Sequence, residues 1–335
     1  MIPDTDIDEI IQNTTLSKEI NELPVLVTGG TGFIGSWLVT ALDKLIDNRD
    51  IDNLIYVLTA DKIKANKVFS RLKRKNLFIV TIDELQSQLQ NGSLPGFGYV
   101  FHCATSTKYD TNDLRNDFEK ALNLTEQILR VLEMSSSVPN FINLSSGAVY
   151  GPPLTKEKLA ESDSSKNHNE PLTSYGITKL RIEEMVLKAD REGVVTGANP
   201  RLFTFFGPGL PLKSHFAIGN FVHDALTGNQ IKVTGSPETM RSYLYISDLV
   251  IQLFALSTKP TLDVLHLGSK SSINIGNLAL EVSKVFNNCP VVFKNEFAKP
   301  NYYVPEVIKT NTYLKINNEV SLSNGLLNWK NSLLN

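Results

Sequence analysis

The sequence predicts a doubly wound α/β fold, in which helices cover both faces of a parallel sheet. From residue 24 onward, short apolar runs alternate with helical stretches over about 150 residues, and a glycine-rich turn follows the first of these runs. Each run is nearly all apolar and is followed by a polar turn, which is typical of strands buried on both faces. A smaller second lobe is predicted after residue 200, where the alternation stops.

Five apolar runs are predicted to be the strands of the parallel sheet. They lie at residues 25–27, 54–58, 77–80, 99–101 and 141–144. Helices are predicted over residues 37–46 and 113–134 between these strands, and over residues 174–189 after them. The alternation therefore predicts a first domain that extends over residues 24–200.

The two ends of the chain are predicted to add to this domain. Residues 1–23 carry the apolar spacing of a short amphipathic helix, which predicts a helical extension. Beyond residue 200, glycine and proline cluster over 206–211, and a helical stretch over 216–226 precedes a short strand over 231–233. Residues 201–335 are therefore predicted to form a smaller lobe that interleaves with the first domain and covers the carboxyl edge of its sheet.

Composition excludes several classes of protein. The 33 basic and 35 acidic residues give a net charge of −2, so the chain lacks the basic field that holds nucleic acid. Two cysteines are too few for a disulfide framework, and five histidines show no metal-ligand spacing. No apolar run reaches the roughly 20 residues of a membrane span, and the acidic start is unlike a signal peptide. We expect a soluble cytoplasmic protein without metal, membrane or nucleic-acid partners.

The turn TGGTGFIG at residues 28–35 directly follows the first predicted strand and opens a helix. Glycine is needed where the chain reverses sharply and a phosphate approaches the backbone. Free N–H groups and the positive end of the helix dipole would then hold a pyrophosphate. The turn therefore predicts a dinucleotide cofactor, NAD or NADP.

The choice between NAD and NADP stays open. An acid that binds the ribose 2′-hydroxyl is expected about 20 residues beyond the turn, but residues 58–60 contain none. Lys62 and Lys64 follow closely and could bind a 2′-phosphate, although lysines on a solvated surface would give the same pattern. NADP is therefore slightly favoured.

Three residues are predicted to carry the chemistry. Tyr175 and Lys179 are four positions apart at the start of a predicted helix, so they share one face. A lysine ammonium lowers the pKa of a nearby phenol from about 10, and such a phenol can exchange a proton with a carbinol oxygen during hydride transfer. Ser145 and Ser146 follow the fifth strand, at the sheet edge where ligands bind, and a serine hydroxyl there could bond the same oxygen.

Together these motifs resemble the extended short-chain dehydrogenase/reductase family, the epimerase/dehydratase group that acts on nucleotide sugars. The resemblance covers about residues 24–310 and rests on the glycine turn, HCAT at 102–105, SSGAVYG at 145–151, Tyr175 with Lys179, Arg201, GPG at 207–209, and Arg241 with Asp248. It implies a Rossmann-type fold, a homodimer, and Ser146, Tyr175 and Lys179 as the catalytic residues. It also implies that Arg241 binds the diphosphate, and that Asp248 is structural or lies near the nucleotide.

The resemblance further implies two sets of binding residues. Those expected at the cofactor are Gly29, Thr31, Gly32, Phe33, Ile34, Gly35, Thr59, Lys62, Asp83, Cys103, Ala104, Thr105, Leu144, Tyr175 and Lys179. Those expected at the nucleotide sugar are Ser106, Ser146, Gly147, Tyr175, Thr204, Asn220, Phe221 and Arg241.

Departures from the family pattern narrow the predicted reaction. The 4,6-dehydratases of the family carry Asp-Glu where this chain has Gly147 and Ala148, so dehydration is not expected. An asparagine of the family is replaced by Thr204, which leaves one substrate hydrogen bond in question. The favoured activity is reduction of a 4-keto-6-deoxyhexose nucleotide in polysaccharide sugar synthesis. Epimerisation at C4 is one alternative, and a dinucleotide-sensing regulatory protein of the same fold is another.

Overall fold

The central sheet is parallel, as predicted, and has six strands. The computed structural model describes residues 2–14, 16, 23–49, 53–72, 75–104, 114–151, 158–163, 173–294, 299–316 and 319–334. Its strands lie in the order β3-β2-β1-β4-β5-β7, with bounds β1 (Val25–Thr28), β2 (Ile55–Leu58), β3 (Leu77–Val80), β4 (Tyr99–His102), β5 (Asn140–Asn143) and β7 (Thr196–Ala198). β7 was not predicted, because its three residues contain no apolar run.

Helices connect these strands. They are α2 (Phe33–Arg49), α3 (Lys62–Val68), α4 (Ile82–Gln90), α5 (Leu114–Leu132) and α6 (Ser174–Arg191). Helix α2 begins earlier than predicted, because Ser36 N–H already donates to the Gly32 carbonyl at 2.9 Å. The short helices α3 and α4 were not predicted. Each begins at a side-chain cap, where Asp61 accepts from Lys64 N–H and Thr81 accepts from Glu84 N–H.

Two apolar cores cover the two faces of the sheet. Along β1, Val25 and Val27 belong to the core that includes Trp37 of α2, whereas Leu26 belongs to the core with Ile182 of α6. Alternate side chains of a strand point to opposite faces, so a strand covered on both sides must be apolar throughout. This requirement explains why the first five strands could be recognised as apolar runs.

Four small sheets accompany the central sheet in the described part of the chain. The strand predicted to reach residue 144 instead leaves the central sheet after Asn143, because Ser145 and Ser146 form a separate strand, β6 (Ser145–Ser146), that pairs with β8 (Arg201–Leu202). β13 (His266–Leu267) completes this sheet. The remaining strands are β9 (Phe205–Phe206), β10 (Ile231–Val233), β11 (Met240–Ser242), β12 (Leu244–Tyr245), β14 (Ser272–Asn274), β15 (Val291–Phe293) and β16 (Tyr302–Tyr303). The helices are α7 (Ala217–Leu226), α8 (Ile246–Thr258), α9 (Ile275–Val285), α10 (Ile308–Leu314) and α11 (Leu322–Leu334).

The N-terminal helix α1 (Asp4–Asn13) lies against α2 and α8. It buries Ile7 and Ile10, as the amphipathic spacing predicts, whereas residues 17–22 of the predicted extension lie outside the described residues. The Tyr245 hydroxyl donates to the buried Asp6 carboxylate at 2.6 Å. This bond joins α1 to β12, which lies 239 positions further along the chain.

Candidate active site

The glycine turn connects β1 to α2 at the carboxyl edge of the sheet. Gly29 has a φ of +63°, in the left-handed region, and its carbonyl accepts from Gly32 N–H at 2.9 Å. A Cβ on Gly29 would lie 2.8 Å from the Cα of Ala104, and a Cβ on Gly35 would collide with the Gly29 carbonyl oxygen. Only backbone therefore fits at these two positions, which suits a turn that must admit a pyrophosphate. Thr31 completes the turn, and Phe33 and Ile34 begin α2.

A buried histidine contacts the first residue of this turn, Thr28. The ring of His102 lies between two hydroxyls, with Nδ1 2.8 Å from Thr28 Oγ1 and Nε2 3.0 Å from Thr125 Oγ1. Burial and the nearby charge of Lys179 lower the pKa of His102 to about 3, so the ring is neutral. Because Thr125 donates its own proton to the Ala121 carbonyl, Nε2 donates to Thr125 and Nδ1 accepts from Thr28.

The residues after β4 face the turn. Cys103 N–H donates to the Thr28 carbonyl at 3.2 Å, and Ala104 N–H donates to the Thr28 hydroxyl at 3.3 Å. Burial raises the pKa of the Cys103 thiol to about 12, so this side chain is protonated and contributes packing. The predicted residues Thr105 and Ser106 lie outside the described residues.

Lys179 lies at the centre of the candidate site. Its Nζ donates to the Leu144 carbonyl at 2.5 Å and lies 5.8 Å from the ring centroid of Tyr175. Burial lowers the pKa of Lys179 to about 8, while nearby Cys103 and Glu183 act in the opposite direction. The predicted helical spacing therefore does bring the ammonium and the phenol ring together on one face of α6.

Ser146 lies beside this pair. The chain makes a 3-10 turn over Gly147–Tyr150, and the Ser146 hydroxyl caps it by accepting from Ala148 N–H at 3.1 Å. The first turn of α6 packs directly on this element, because a Cβ on Gly176 would lie 2.5 Å from the Ala148 carbonyl oxygen. The three predicted catalytic residues are thus held by two elements in direct contact.

A buried ion pair, which was not predicted, joins α6 to β6 and β8. Glu183 lies one helical turn beyond Lys179, and Arg201 donates to its carboxylate from Nε at 3.1 Å and from Nη2 at 2.9 Å. Ser145, the neighbour of Ser146, donates to the same carboxylate. The Arg201 guanidinium also lies 4.8 Å from the ring centroid of Tyr150. The sequence contained a signal for Glu183, since it repeats the four-residue spacing of the catalytic pair.

The far end of the predicted cofactor groove, beyond β2, is exposed. The Thr59 hydroxyl accepts from Asp61 N–H at 3.1 Å, and Lys62 Nζ lies 2.5 Å from Glu84 Oε1. Asp83 precedes Glu84 in the first turn of α4. The lysine on which the NADP preference partly rests is therefore already paired with a carboxylate.

Arg241 lies on β11, where its guanidinium donates to the Met240 carbonyl at 2.7 Å and lies 5.8 Å from the ring centroid of Tyr303. The second family residue, Asp248, accepts from Val320 N–H at 2.8 Å under the N-terminal helix. Burial raises the pKa of Asp248 to about 7. Of the two roles implied for Asp248, this contact supports the structural one.

The remaining predicted substrate residues make internal contacts. The carbonyl of Thr204 accepts from Leu244 N–H at 3.0 Å. The side-chain amide of Asn220 bonds the backbone of Ser214 twice, at 2.8 and 3.2 Å. The Phe221 side chain is buried in the core. Their role at a substrate stays a prediction.

Two kinds of feature are absent from the described parts of the chain. In those parts, no group of three or more His, Cys, Asp or Glu side chains could hold a metal ion. Among the same residues, no helix is long and apolar enough to cross a membrane.

Comparisons with known proteins agree with the architecture. Residues 25–276 match the sequence model of the NAD dependent epimerase/dehydratase family. The chain is 25% identical over 327 residues to UDP-glucuronic acid decarboxylase 1 of Arabidopsis thaliana, covering 93% of this chain and 71% of that protein.

Two solved structures are similar in fold. A UDP-glucose 4-epimerase from Thermotoga maritima, crystallised with UDP-glucose, superposes with a TM-score of 0.75 at 22% identity, over 93% of this chain and 100% of that chain. A UDP-glucuronic acid 4-epimerase from Bacillus cereus, in complex with NAD, superposes with a TM-score of 0.72 at 21% identity, over 92% and 96%. The predicted fold class and the predicted resemblance are confirmed.

Proposed function

The chain belongs to the NAD-dependent epimerase/dehydratase family of nucleotide-sugar enzymes, and from that premise we propose that it transfers a hydride at C4 of a nucleotide-linked hexose. The observation that carries the proposal is the surroundings of Lys179. Its ammonium is buried, bonds the Leu144 carbonyl and lies beside the Tyr175 ring. A cation held in this way stabilises a phenolate, which a solvated surface pair would not do.

Each residue of the proposed site has a separate task. NAD(P), when bound against the glycine turn, supplies the hydride donor or acceptor. Tyr175 gives or takes the proton at the C4 oxygen of the sugar, and Lys179 keeps the phenol acidic enough to do so. Ser146 bonds the same oxygen and fixes its position. Arg241 binds the diphosphate of the nucleotide, where its planar fork of donors suits phosphate oxygens.

Two forms of this hydride transfer are proposed. Reduction of a 4-keto-6-deoxyhexose nucleotide is supported by the absence of an acid at residues 58–60, since reductases commonly use NADPH. Epimerisation at C4, with the cofactor retained, is supported by the Lys62–Glu84 pair, which occupies a cation that a 2′-phosphate would need. The similar proteins described as 4-epimerases support the second form as well. Dehydration is not proposed, because Gly147 and Ala148 offer no acid or base.

One experiment tests the proposal and separates its two forms. The protein is incubated with NAD, NADH or NADPH and with UDP-glucose, UDP-glucuronic acid or a UDP-4-keto-6-deoxyhexose. Absorbance at 340 nm and the mass and NMR spectrum of each sugar are followed. A reductase consumes one reduced cofactor for each sugar formed, whereas an epimerase gives a sugar of unchanged mass with no net cofactor change. Cofactor binding without a change in any sugar would favour the regulatory alternative.

The proposal extends to assembly and cellular context. A homodimer is proposed through α5 and α6, which pack against each other, and Ile177 on the second of these helices is 42% exposed. The division at residues 23 and 200 is also proposed, and the β6-β8-β13 sheet supports interleaving because it joins strands from both sides of the second boundary. We propose a cytoplasmic enzyme of polysaccharide sugar synthesis.

A further inference from the structure

The space beside Ser146 is closed by two aromatic rings. A Cβ on Gly147 would lie 2.6 Å from the Tyr303 hydroxyl and 2.8 Å from Cζ of Phe203. The two rings pack together, with centroids 4.8 Å apart. The position next to the proposed catalytic serine therefore has no side chain of its own and is covered by a hydroxyl from a distant part of the chain.

Tyr303 is brought to this point by strand pairing. It lies on β16, in register with Arg241 on β11, and the Arg241 guanidinium lies 5.8 Å from its ring centroid. One side of the Tyr303 ring thus faces the residue proposed to bind the diphosphate, while its hydroxyl reaches the turn that follows Ser146. The Tyr303 side chain therefore lies between Arg241 and the turn that follows Ser146. A sugar joined to a diphosphate must occupy this region if Arg241 binds the diphosphate and Ser146 bonds the sugar.

Phe203 fixes the direction of this tyrosine. Its side chain is buried, and its ring packs edge-on against His266, with ring centroids 4.9 Å apart. Because the buried Phe203 ring packs against both His266 and Tyr303, it limits the movement of the Tyr303 ring, whose hydroxyl lies against Gly147. A hydroxyl that is held in one place loses little conformational freedom when it forms a new hydrogen bond.

We propose that Tyr303 is a specificity-determining residue whose hydroxyl bonds a hydroxyl group of the hexose in the substrate. Gly147 is required because any side chain there would displace the Tyr303 hydroxyl. The inference rests on the proposed function, since it assigns a sugar to the groove between Arg241 and Ser146. A tyrosine hydroxyl both donates and accepts, so it suits a sugar hydroxyl better than a charged group would.

Calorimetric binding tests the inference without the need for turnover. Each variant is prepared in the Tyr175→Phe background with excess NAD, and its affinities for UDP, UDP-glucose and UDP-glucuronic acid are measured. Tyr303→Phe keeps the ring on Phe203 and removes only the hydroxyl. It should weaken binding of at least one UDP-sugar by about 3- to 10-fold, while binding of UDP stays unchanged.

Two further variants exclude a structural effect. Gly147→Ala should produce the same selective loss, because its Cβ displaces the Tyr303 hydroxyl. Tyr302→Phe is the matched control, since the neighbouring side chain of a strand points to the opposite face, and it should change neither affinity. Thermal unfolding of all variants should agree within a few degrees.

The outcomes distinguish a failure of the Tyr303–sugar contact from a failure of the proposed function. If the parent protein binds a UDP-sugar more tightly than UDP and Tyr303→Phe keeps that advantage, the tyrosine has no role at the sugar and the proposed function stands. Equal weakening of UDP and of the UDP-sugars would likewise overturn the sugar contact. If the parent protein binds none of the three compounds, the proposed function fails and the sugar contact fails with it.

Discussion

The two ends of the proposed cofactor groove are built in opposite ways. At the catalytic end, Lys179, Glu183 and Arg201 are buried, and their charged groups bond one another or the backbone. At the ribose end, Lys62 and Glu84 form a pair whose side chains are 38% and 46% exposed. Both ends lie at the carboxyl edge of the same sheet, so the difference comes from what covers them and not from the sheet itself.

This difference assigns different tasks to the two ends. A buried, fully bonded charge is costly to move, so the catalytic end can hold a proton-transferring group in one position. An exposed ion pair contributes about 0 to 1 kcal/mol and rearranges easily, so the ribose end can change its cofactor preference without disturbing the fold. The chemistry is therefore placed where the structure is most constrained.

Removing the phenol hydroxyl should have the largest effect. Tyr175→Phe deletes one oxygen and little volume, so fold and cofactor binding should survive. Loss of a positioned acid–base group typically costs a factor of about 10² to 10⁴ in rate, and we expect a fall of that order in kcat on whichever sugar is turned over. Near-full activity would mean that the proton comes from another group.

Breaking the buried ion pair should act mainly on stability. Glu183→Ala leaves the Arg201 guanidinium buried without its carboxylate, and the loss of one partner of such a pair costs about 3 to 5 kcal/mol. Chemical denaturation measures this loss. Glu184→Ala, at the exposed neighbouring position, is the matched control and should stay within about 0.5 kcal/mol. An equal effect of both substitutions would mean that the buried Glu183–Arg201 pair is no more constrained than an exposed position of the same helix.

A pH profile should show that burial tunes Lys179. Its pKa is lowered from 10.5 to about 8 in the cofactor-free protein, so the ammonium is present below pH 8 and is lost as the pH rises through that value. We expect kcat/KM, which reports the free enzyme, to fall above pH 8. Because the folded chain releases this proton before the unfolded chain does, Lys179 by itself should raise the free energy of unfolding between pH 8 and pH 10.5.

The exposed pair should give the smallest effect. Lys62→Ala removes a partner of Glu84 and should change stability by less than about 1 kcal/mol. If the lysine contributes to a 2′-phosphate site, the ratio of NADPH to NADH affinity should fall several-fold. Lys64→Ala provides the comparison from the same helix. A large loss of stability would show that this end is as constrained as the catalytic end.

Some of this site could be predicted from the sequence, and the remainder could not, for physical reasons. Tyr175 and Lys179 are near neighbours on one helix, so their spacing alone predicts their proximity. Glu183 extends the same spacing, but its partner Arg201 reaches it only through the pairing of β6 with β8. Tyr303 reaches Gly147 through a strand pair formed by distant segments, which no local pattern signals. Short-range periodicity therefore predicted the helix face and missed the groups that close over it.

The N-terminal helix has a consequence for how the chain is made. Asp6 is bonded by Tyr245 and by Asn328, which lie 239 and 322 positions further along. During synthesis α1 leaves the ribosome before the side chains that satisfy its buried carboxylate. Its apolar face, with Ile7 and Ile10, must therefore wait for α8 before it is fully covered. The Asp6 contacts form only after these later segments have emerged, and a ribosome-bound chain halted before residue 245 should leave α1 accessible to protease.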